Sequence, residues 1–410
     1  MAMRLGRENL AEVTESVSSG RGISVSSLKE ESDKNNYLAE LGHRREITIK
    51  IIGSNPHEPV PVLETSFEFP GEDRVTFHSM SGHHIRALLV SIGQHTGTLS
   101  DKESPIDTQI ENINFLGDKI LSCLLHRAQG KAKAEDQIRF LAEMFLRHQE
   151  CHIKLESVPN WIPIEYMRFP SPISSTPHYS DILGSFPRVY QTKPKSFSNI
   201  NKLRPGITVY HDDILPSILK ETLTSLIREK FPENFYQLVP LSKTHPKDLK
   251  SEIVKSFNSK GQLQYFHCHM SRKHNLPFMR MTNDVEVNIS DFEGMESTNN
   301  TVFLNGCSSH GHEGEAPWDL SGSFTTWAEQ FTEEIECEAA IAVLSKTDDF
   351  YAKAFAKKFY DQMYASKRKD SIFDVFCRSK IDLLTDNIPQ ALMYRYFGNP
   401  VNSPKLSSIV

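Results

Sequence analysis

The second half of the sequence alternates short apolar runs with amphipathic stretches, and this alternation constrains the fold more than any other feature. Five runs predict buried strands: residues 206–210, 236–241, 263–266, 301–304 and 339–344. Four stretches predict helices: residues 215–230, 246–257, 325–335 and 349–363. Strands that alternate with helices pair in parallel through right-handed crossovers, with helices on both faces. The pattern therefore predicts an α/β protein with a mostly parallel sheet sandwiched by helices.

The first half is less regular but also mixes strands and helices. Strands are predicted at residues 46–52, 61–69 and 75–80, and helices at residues 111–126 and 137–148. Residues 1–45 are polar and without apolar periodicity, which predicts a mobile arm. Residues 169–206 are rich in proline and serine but contain ordered-looking pieces, so we interpret them as a long connection within one fold.

Composition excludes several classes of protein. The 410 residues carry a net charge of −6 without a sustained basic stripe, which argues against direct binding of nucleic acid. No apolar stretch approaches the roughly 18 residues that a membrane-spanning helix needs. The N-terminus lacks the apolar core of a signal peptide, so we expect a cytoplasmic protein whose six cysteines are reduced thiols.

Reactive side chains follow two of the predicted parallel strands. His267, Cys268 and His269 follow one, and Cys307 follows the other. Because sites in such sheets lie beyond the carboxyl ends of the strands, a cysteine and a histidine can meet there. Histidine can activate a thiol and then protonate a leaving amine. Two other interpretations remain open: Cys307 is a buried structural thiol, or it forms a zinc site with nearby histidines, namely His267, His269, His310 and His312.

The two strands and their flanks resemble the CHAT-domain branch of the caspase-like cysteine peptidases, a group that also includes separase. In that family a strand ending in His-Gly precedes a strand ending in a small residue, the nucleophilic cysteine and a Ser/Thr-rich turn. Residues 263–269 match the first strand and residues 302–309 match the second. The resemblance places the base on His269, with His267 as its rival, and the nucleophile on Cys307. By strand alternation His267 and His269 should share a face, and Cys268 should point into the core.

The resemblance extends over residues 46–365 and implies a division of the chain. It implies an N-terminal, pseudo-caspase-like half at residues 46–200 and a catalytic caspase-like half at residues 201–365. Residues 159–165, with a proline, a tryptophan and a glutamate, are similar to an element of the family's N-terminal half. Residues 366–410 are left as a C-terminal extension, and the sequence does not indicate what they pack against.

The resemblance also implies an activity, that of a cysteine endopeptidase needing neither metal nor cofactor. It implies an oxyanion site made by the backbone N–H groups of Met270 and Cys307. It further implies a protein substrate, a regulatory protein partner or activator, and a context in bacterial defence against phage. The family usually has glycine where this chain has Met270. That departure favours an alternative, a weak or inactive CHAT-like module that binds a protein partner. A zinc-stabilised interaction domain is the third interpretation.

Three aspartates are candidates for a pocket that selects a basic side chain before the cleaved bond: Asp348, Asp349 and Asp319. Asp348 and Asp349 precede a predicted helix, where the ordinary role of aspartate is to cap the first turn. Both interpretations remain open at this point.

Overall fold

A computed structural model describes the chain in segments. The described residues are 46–53, 62–80, 84, 105–148, 151–158, 162–169, 182–186, 188–192, 207–211, 217–233, 236–240, 248, 251, 263–273, 276–282, 285–292, 301–306, 326–335, 337–344, 347–366, 370–398 and 400. The predicted arm at residues 1–45 lies outside them, as does the predicted helix at residues 246–257 apart from two isolated positions.

Strands form two sheets in these segments. In chain order they are β1 (Glu46–Gly53), β2 (Leu63–Glu68), β3 (Val75–His78), β4 (Arg127–Ala128), β5 (His152–Glu156), β6 (Val189–Gln191), β7 (Ile207–His211), β8 (Tyr236–Pro240), β9 (Leu263–His267), β10 (His269–Lys273), β11 (Leu276–Thr282), β12 (Val285–Asn288), β13 (Thr301–Leu304), β14 (Ala339–Val343) and β15 (Tyr394–Gly398). The large sheet has twelve described strands in the order β4-β3-β2-β1-β5-β6-β15-β14-β13-β9-β7-β8. The small sheet has the order β10-β11-β12.

The large sheet is mixed and mostly parallel. The pairs β1–β5, β5–β6, β6–β15, β14–β13, β13–β9, β9–β7 and β7–β8 are parallel. The pairs β1–β2, β2–β3, β3–β4 and β14–β15 are antiparallel. The parallel pairs confirm the prediction drawn from the strand–helix alternation.

Helices cover the sheet. They are α1 (Ile106–Leu124), α2 (Ala134–Arg147), α3 (Ser217–Lys230), α4 (Trp327–Glu329, continued by a π-helical turn at Gln330–Glu334), α5 (Asp349–Ala365) and α6 (Ile372–Thr385). Short 3₁₀ segments occur at Ile164–Tyr166, Leu183–Ser185, Ile289–Phe292 and Pro389–Met393. No helix among the described residues is long and apolar enough to cross a membrane.

Alternating side chains of the central strands divide between two apolar layers. On β13, Phe303 packs against Phe355 and Phe359 of α5. Its neighbours on the strand, Val302 and Leu304, belong to the other layer, which also contains α4. Because both faces of these parallel strands are buried, their sequences are continuously apolar rather than alternating. The sheet is therefore sandwiched by helices, as predicted.

The structure shows what the C-terminal segment packs against, which the sequence does not indicate. β15 lies between β6 and β14, so it joins the strands of the first half to those of the second. α6 packs along α5 and against β15. Residues 370–398 are thus integral to the large sheet and its helical cover.

One expectation from the sequence is wrong. The predicted strands at residues 263–266 and 301–304 leave a loop of some 35 residues between them, but this region contains β10, β11 and β12. Pro277 argued against a strand because proline cannot donate to a ladder. It occupies the second position of β11, opposite Arg272, close to the end of the β10–β11 pairing.

Candidate active site

The strands that carry the candidate dyad end at the same level. Thr301 of β13 pairs with Leu263 of β9, and Leu304 pairs with Phe266. His269 and Cys307 each come three residues after one of these last paired positions, since 266 + 3 = 269 and 304 + 3 = 307. The register therefore brings the ends of β9 and β13, which these residues follow in the sequence, to one edge of the sheet.

Close packing continues past the last paired residues. The N–H of Asn305 donates to the carbonyl oxygen of Phe266 at 2.9 Å. A Cβ added to Gly306 would lie 2.5 Å from the carbonyl oxygen of Cys268 and 2.8 Å from Cγ of Met270. Position 306 must therefore be glycine for the chain after β13 to approach Cys268 and Met270 this closely. Cys307 itself lies outside the described residues, and only the backbone of His269 is described.

Cys268 is a bend between two sheets. β9 ends at His267 in the large sheet, and β10 begins at His269 in the small sheet. The alternation rule that predicted one face for His267 and His269 applies within a strand, so it does not extend across this bend. Cys268 is buried in the apolar layer on the α4 side of the sheet, which confirms its predicted place in the core.

A buried polar cluster lies beneath the strand ends, on the α5 side of the sheet. We call it the tip network, and it consists of Tyr265, His267, Asn305 and Tyr394. Tyr394 donates to Oδ1 of Asn305 at 2.7 Å, and Nδ2 of Asn305 donates to the hydroxyl of Tyr265 at 2.8 Å. That nitrogen also donates to the carbonyl oxygen of Ala352 in α5 at 2.9 Å. The hydroxyl of Tyr265 lies 3.1 Å from Nδ1 of His267.

Aromatic rings enclose the tip network. The ring of Tyr394 stacks on Phe355 with centroids 3.7 Å apart. Tyr265 meets Phe303 and Tyr360 edge to face. Burial raises the pKa of Tyr265, although the hydrogen bond from Asn305 acts in the opposite direction. Tyr265 therefore remains a neutral hydroxyl at neutral pH.

Met270 lies in a regular strand rather than in a strained turn. It pairs with Met279 of β11 and is buried. The non-glycine residues with positive φ in the described part of the chain are Ser157 and Asn387, so the backbone at Met270 suits a side chain. The substitution for the family's glycine thus does not require an unusual backbone angle.

The candidate aspartates of the specificity pocket differ in what the structure describes. Asp348 is the N-cap of α5, and its Oδ1 accepts a hydrogen bond from the N–H of Phe350 at 2.7 Å. Asp349 lies in the first turn of that helix. Both side chains are partly exposed, and Asp319 lies outside the described residues. Helix α5 is the element that follows β14, so it begins at the edge of the sheet where β9 and β13 also end.

The remaining described cysteines are not candidates for the nucleophile. Cys123, Cys151, Cys268, Cys337 and Cys377 are buried, and none of these five forms a disulfide. Burial raises the pKa of Cys123 to about 11 and that of Cys377 to about 12. These thiols are therefore poor nucleophiles near neutral pH.

No cluster that could hold a metal ion occurs among the described residues. The zinc interpretation involved Cys307, His310 and His312, which all lie outside them. It therefore remains a prediction from the sequence.

Sequence reasoning gave no role to two residues of the site. Asn305 lies within the matched residues 302–309, and Tyr265 lies within the predicted apolar strand at residues 263–266. A signal was present, because an asparagine directly after four buried strand residues must find hydrogen-bond partners in the core. The identity of those partners depends on α5 and β15, which the local sequence does not reveal.

Comparisons with known proteins were informative at the level of structure. No protein-family model matches the sequence, and no curated protein matches it. Two crystal structures of the separase–securin complex from Saccharomyces cerevisiae match with TM-scores of 0.54 and 0.52 at 12% and 11% identity. Each match covers 87% of this chain and 30% of that chain. The Arg-specific cysteine proteinase gingipain R has a TM-score of 0.42 at 11% identity, covering 66% of this chain and 68% of that chain.

The chain therefore spans less than a third of the separase chain that it resembles. At this identity the likeness concerns the fold alone. The strand order, the helical layers and the similarity to separase lead to one conclusion: this chain has a caspase-like α/β fold, with a mixed, mostly parallel sheet between helices.

Proposed function

We propose that this chain is a cysteine endopeptidase in which Cys307 is the nucleophile and His269 the base. Cys307 attacks the peptide carbonyl, and His269 takes up the thiol proton and delivers it to the leaving amine. The acyl group is then held as a thioester, which water hydrolyses to release the acid and restore the thiol. No metal or organic cofactor takes part in this sequence of steps.

The observation that carries the proposal is the contact between Gly306, after β13, and residues Cys268 and Met270, after β9. Gly306 lies against the backbone of Cys268 and the side chain of Met270, the two neighbours of His269. Nucleophilic catalysis requires the thiol and the base within hydrogen-bond reach. Neighbours packed this closely support a dyad between the residues that they flank, on a fold that separase shares.

The backbone N–H groups of Met270 and Cys307 are proposed to hold the oxyanion. Such donors act best when the backbone is fixed before the reaction begins. The regular strand conformation of Met270 and its burial support a fixed backbone there.

A protein substrate and a regulatory protein partner complete the proposal. The separase structures contain securin bound to separase, which supports control by a protein partner on this fold. Asp348, Asp349 and Asp319 are proposed to select a basic side chain before the cleaved bond. From the family resemblance we further propose a cytoplasmic CHAT-type peptidase acting in antiviral defence in bacteria.

The primary test is iodoacetamide labelling of Cys307 between pH 5 and pH 9, read by peptide mass spectrometry. The other described thiols are buried, so their slow labelling is not a fair reference. The rate at Cys307 should instead be compared with that of a free thiol such as N-acetylcysteine. We expect Cys307 to react faster than this reference below pH 8, where an ordinary thiol with a pKa near 8.5 is mostly protonated.

Two histidine variants separate the candidate bases. His269→Ala should abolish the advantage of Cys307 at low pH, whereas His267→Ala should slow the labelling but leave the low-pH advantage in place. The reverse result would assign the base to His267. The peptidase proposal would be overturned if Cys307 of the wild-type protein were labelled no faster than the free thiol, both with and without cell lysate.

A protein-binding module without peptidase activity is the second candidate, and Met270 favours it. Met270→Gly distinguishes the two, because glycine restores the residue usual in the family. Appearance of fast labelling only in this variant would indicate an inactivated site used for binding.

A further inference from the structure

The tip network includes one of two neighbouring histidines at the end of β9, His267, and not the other, His269. This inference rests on the proposed function and concerns His267, to which that function gives no role. His267 ends β9 two residues before His269, and Asn305 lies two residues before Cys307. The network therefore connects the end of β9 with the end of β13, and the residues of the proposed dyad follow these two strands in the sequence.

The direction of each hydrogen bond follows from its partners. A carbonyl oxygen only accepts, so the contact with Ala352 fixes Nδ2 of Asn305 on that side, and the hydroxyl of Tyr394 donates to Oδ1. The second hydrogen of Nδ2 is donated to the oxygen of Tyr265. Tyr265 still has its own hydrogen to donate, and leaving a buried donor without an acceptor costs about 1–3 kcal/mol.

Nδ1 of His267 is the acceptor that this geometry supplies, at 3.1 Å from the hydroxyl of Tyr265. A nitrogen that accepts carries no hydrogen, so His267 is neutral with its hydrogen on Nε2. Protonation of Nδ1 would turn this acceptor into a donor and deprive the hydroxyl of Tyr265 of its partner.

The surroundings of His267 act in the same direction. A pocket beside it is lined by Leu223 and Leu226 of α3 and by Lys353, Ala356 and Lys357 of α5. The two lysines disfavour a further positive charge, and Lys357 already pairs with Asp361 at 2.8 Å. The α3 side chains that line the pocket, among those the structure describes, are apolar. On its own strand His267 faces Tyr265, and on the neighbouring strand β7 a further titratable residue, His211, is its register partner.

We propose that Asn305 and Tyr265 are positioning residues that hold His267 as a neutral Nε2–H tautomer and thereby leave His269 as the proton acceptor for Cys307. Two imidazolium groups two residues apart would repel each other. Keeping His267 neutral removes that competition and holds the ends of β9 and β13 in register.

The test compares two tyrosine-to-phenylalanine variants. Tyr265→Phe removes the hydroxyl that donates to His267. Tyr360→Phe is the matched control, since it is equally buried, contacts Tyr265, and has a hydroxyl without a hydrogen-bond partner among the described residues. Circular dichroism and thermal unfolding check that both variants fold.

Two readouts apply to the full-length protein. Long-range ¹H–¹⁵N spectra of ¹⁵N-histidine-labelled protein, with His267 assigned through His267→Asn, should show a neutral Nε2–H tautomer down to pH 5. In Tyr265→Phe, His267 should lose the fixed Nε2–H tautomer and become protonated at a higher pH than in the wild type. Labelling of Cys307 at pH 7 should fall about tenfold in Tyr265→Phe through lost positioning, and stay unchanged in Tyr360→Phe.

Failure of this inference is distinguishable from failure of the proposed function. If Cys307 is fast in the wild type and depends on His269, but Tyr265→Phe changes neither readout, the positioning role is wrong while the peptidase proposal stands. If Tyr265→Phe does not fold, Tyr394→Phe loosens the other end of the network and should slow labelling about threefold. An unchanged rate in that variant would equally overturn the inference.

Discussion

Two buried polar clusters meet on β15, and they differ in charge. Tyr394 belongs to the neutral tip network, whereas Arg395 belongs to a charged cluster at the junction of the two halves. Arg395 forms a bidentate ion pair with Glu165 and also donates to Gln191 at 2.8 Å. Both members of the pair are buried, at 1% exposure each. We call Glu165, Gln191, Lys380 and Arg395 the seam cluster.

The difference teaches what each cluster is suited for. A buried ion pair is costly to desolvate and adds little stability over apolar packing, but removing one partner leaves a buried charge. We therefore expect the seam cluster to contribute to the specific pairing of β6 with β15, which share a single described register pair, Phe397 with Gln191. With His267 neutral the tip network has no net charge, so it can orient groups at the site without adding a charge beside them.

The largest expected effect comes from breaking the seam cluster. Glu165→Gln keeps the shape of the side chain but leaves Arg395 as an unpaired buried charge, so the free energy of unfolding should fall by about 3–5 kcal/mol in urea denaturation. The double variant Glu165→Gln with Arg395→Met should recover most of this loss. A single-variant loss below about 1 kcal/mol would show that the seam does not depend on the pair.

Removing the third charge of the seam cluster, that of Lys380, should raise the free energy of unfolding and not lower it. Burial lowers the pKa of Lys380 to about 8, against the attraction of Glu165. Below pH 8 Lys380 is charged in both the folded and the unfolded state, so the full cost of burying its charge lowers the free energy of unfolding. Between pH 8 and its unfolded pKa of 10.5, the unfolded state binds more protons than the folded state, so the free energy of unfolding rises with pH.

Lys380→Met should therefore raise the free energy of unfolding at pH 7 by up to roughly 3 kcal/mol. Loss of the hydrogen bond from Nζ to the carbonyl oxygen of Tyr394, at 3.3 Å, reduces this gain. Urea denaturation of both proteins from pH 7 to pH 9.5 measures the difference. An advantage that does not shrink as pH rises would contradict the buried-charge explanation.

Two glycine substitutions separate stability from site geometry. Gly306→Ala places a Cβ against Cys268, and Gly184→Ala places one 2.9 Å from the carbonyl oxygen of Glu165. Each should lower the free energy of unfolding by about 1–3 kcal/mol through overpacking. Only Gly306→Ala should also slow labelling of Cys307, since Gly184 lies beside the seam. Equal labelling in both variants would contradict the role of Gly306 at the site.

The smallest effect is expected at the start of α5. Asp348→Ala should lower the free energy of unfolding by about 1 kcal/mol through loss of the cap, and Asp348→Asn should restore it because asparagine caps equally well. Cleavage of a peptide library by Asp348→Asn then tests the charge alone. Loss of a preference for basic residues in this stable variant would support the specificity role, and an unchanged preference would leave Asp348 as a cap.

Local sequence was sufficient where one segment decides its own structure. The apolar runs of β9, β13 and β14 are buried on both faces, so their character does not depend on which helix covers them. The expected loop before β13 was wrong because β10, β11 and β12 obtain their regularity from one another. The sequences of β10 and β11 alone lack a clear alternation.

The sequence by itself determined the class of fold and the two strand ends where reactive residues follow, because apolar periodicity and the rule for parallel sheets are local or general. Only the tertiary structure decided that β15 joins the two halves, that Gly306 lies against Cys268, and that Asn305 connects Tyr394 to Tyr265. The hydrogen bond between Tyr394 and Asn305 alone joins residues 89 positions apart in the chain. Hydrogen bonds and close packing at such separations depend on the register of whole strands, which no local pattern specifies.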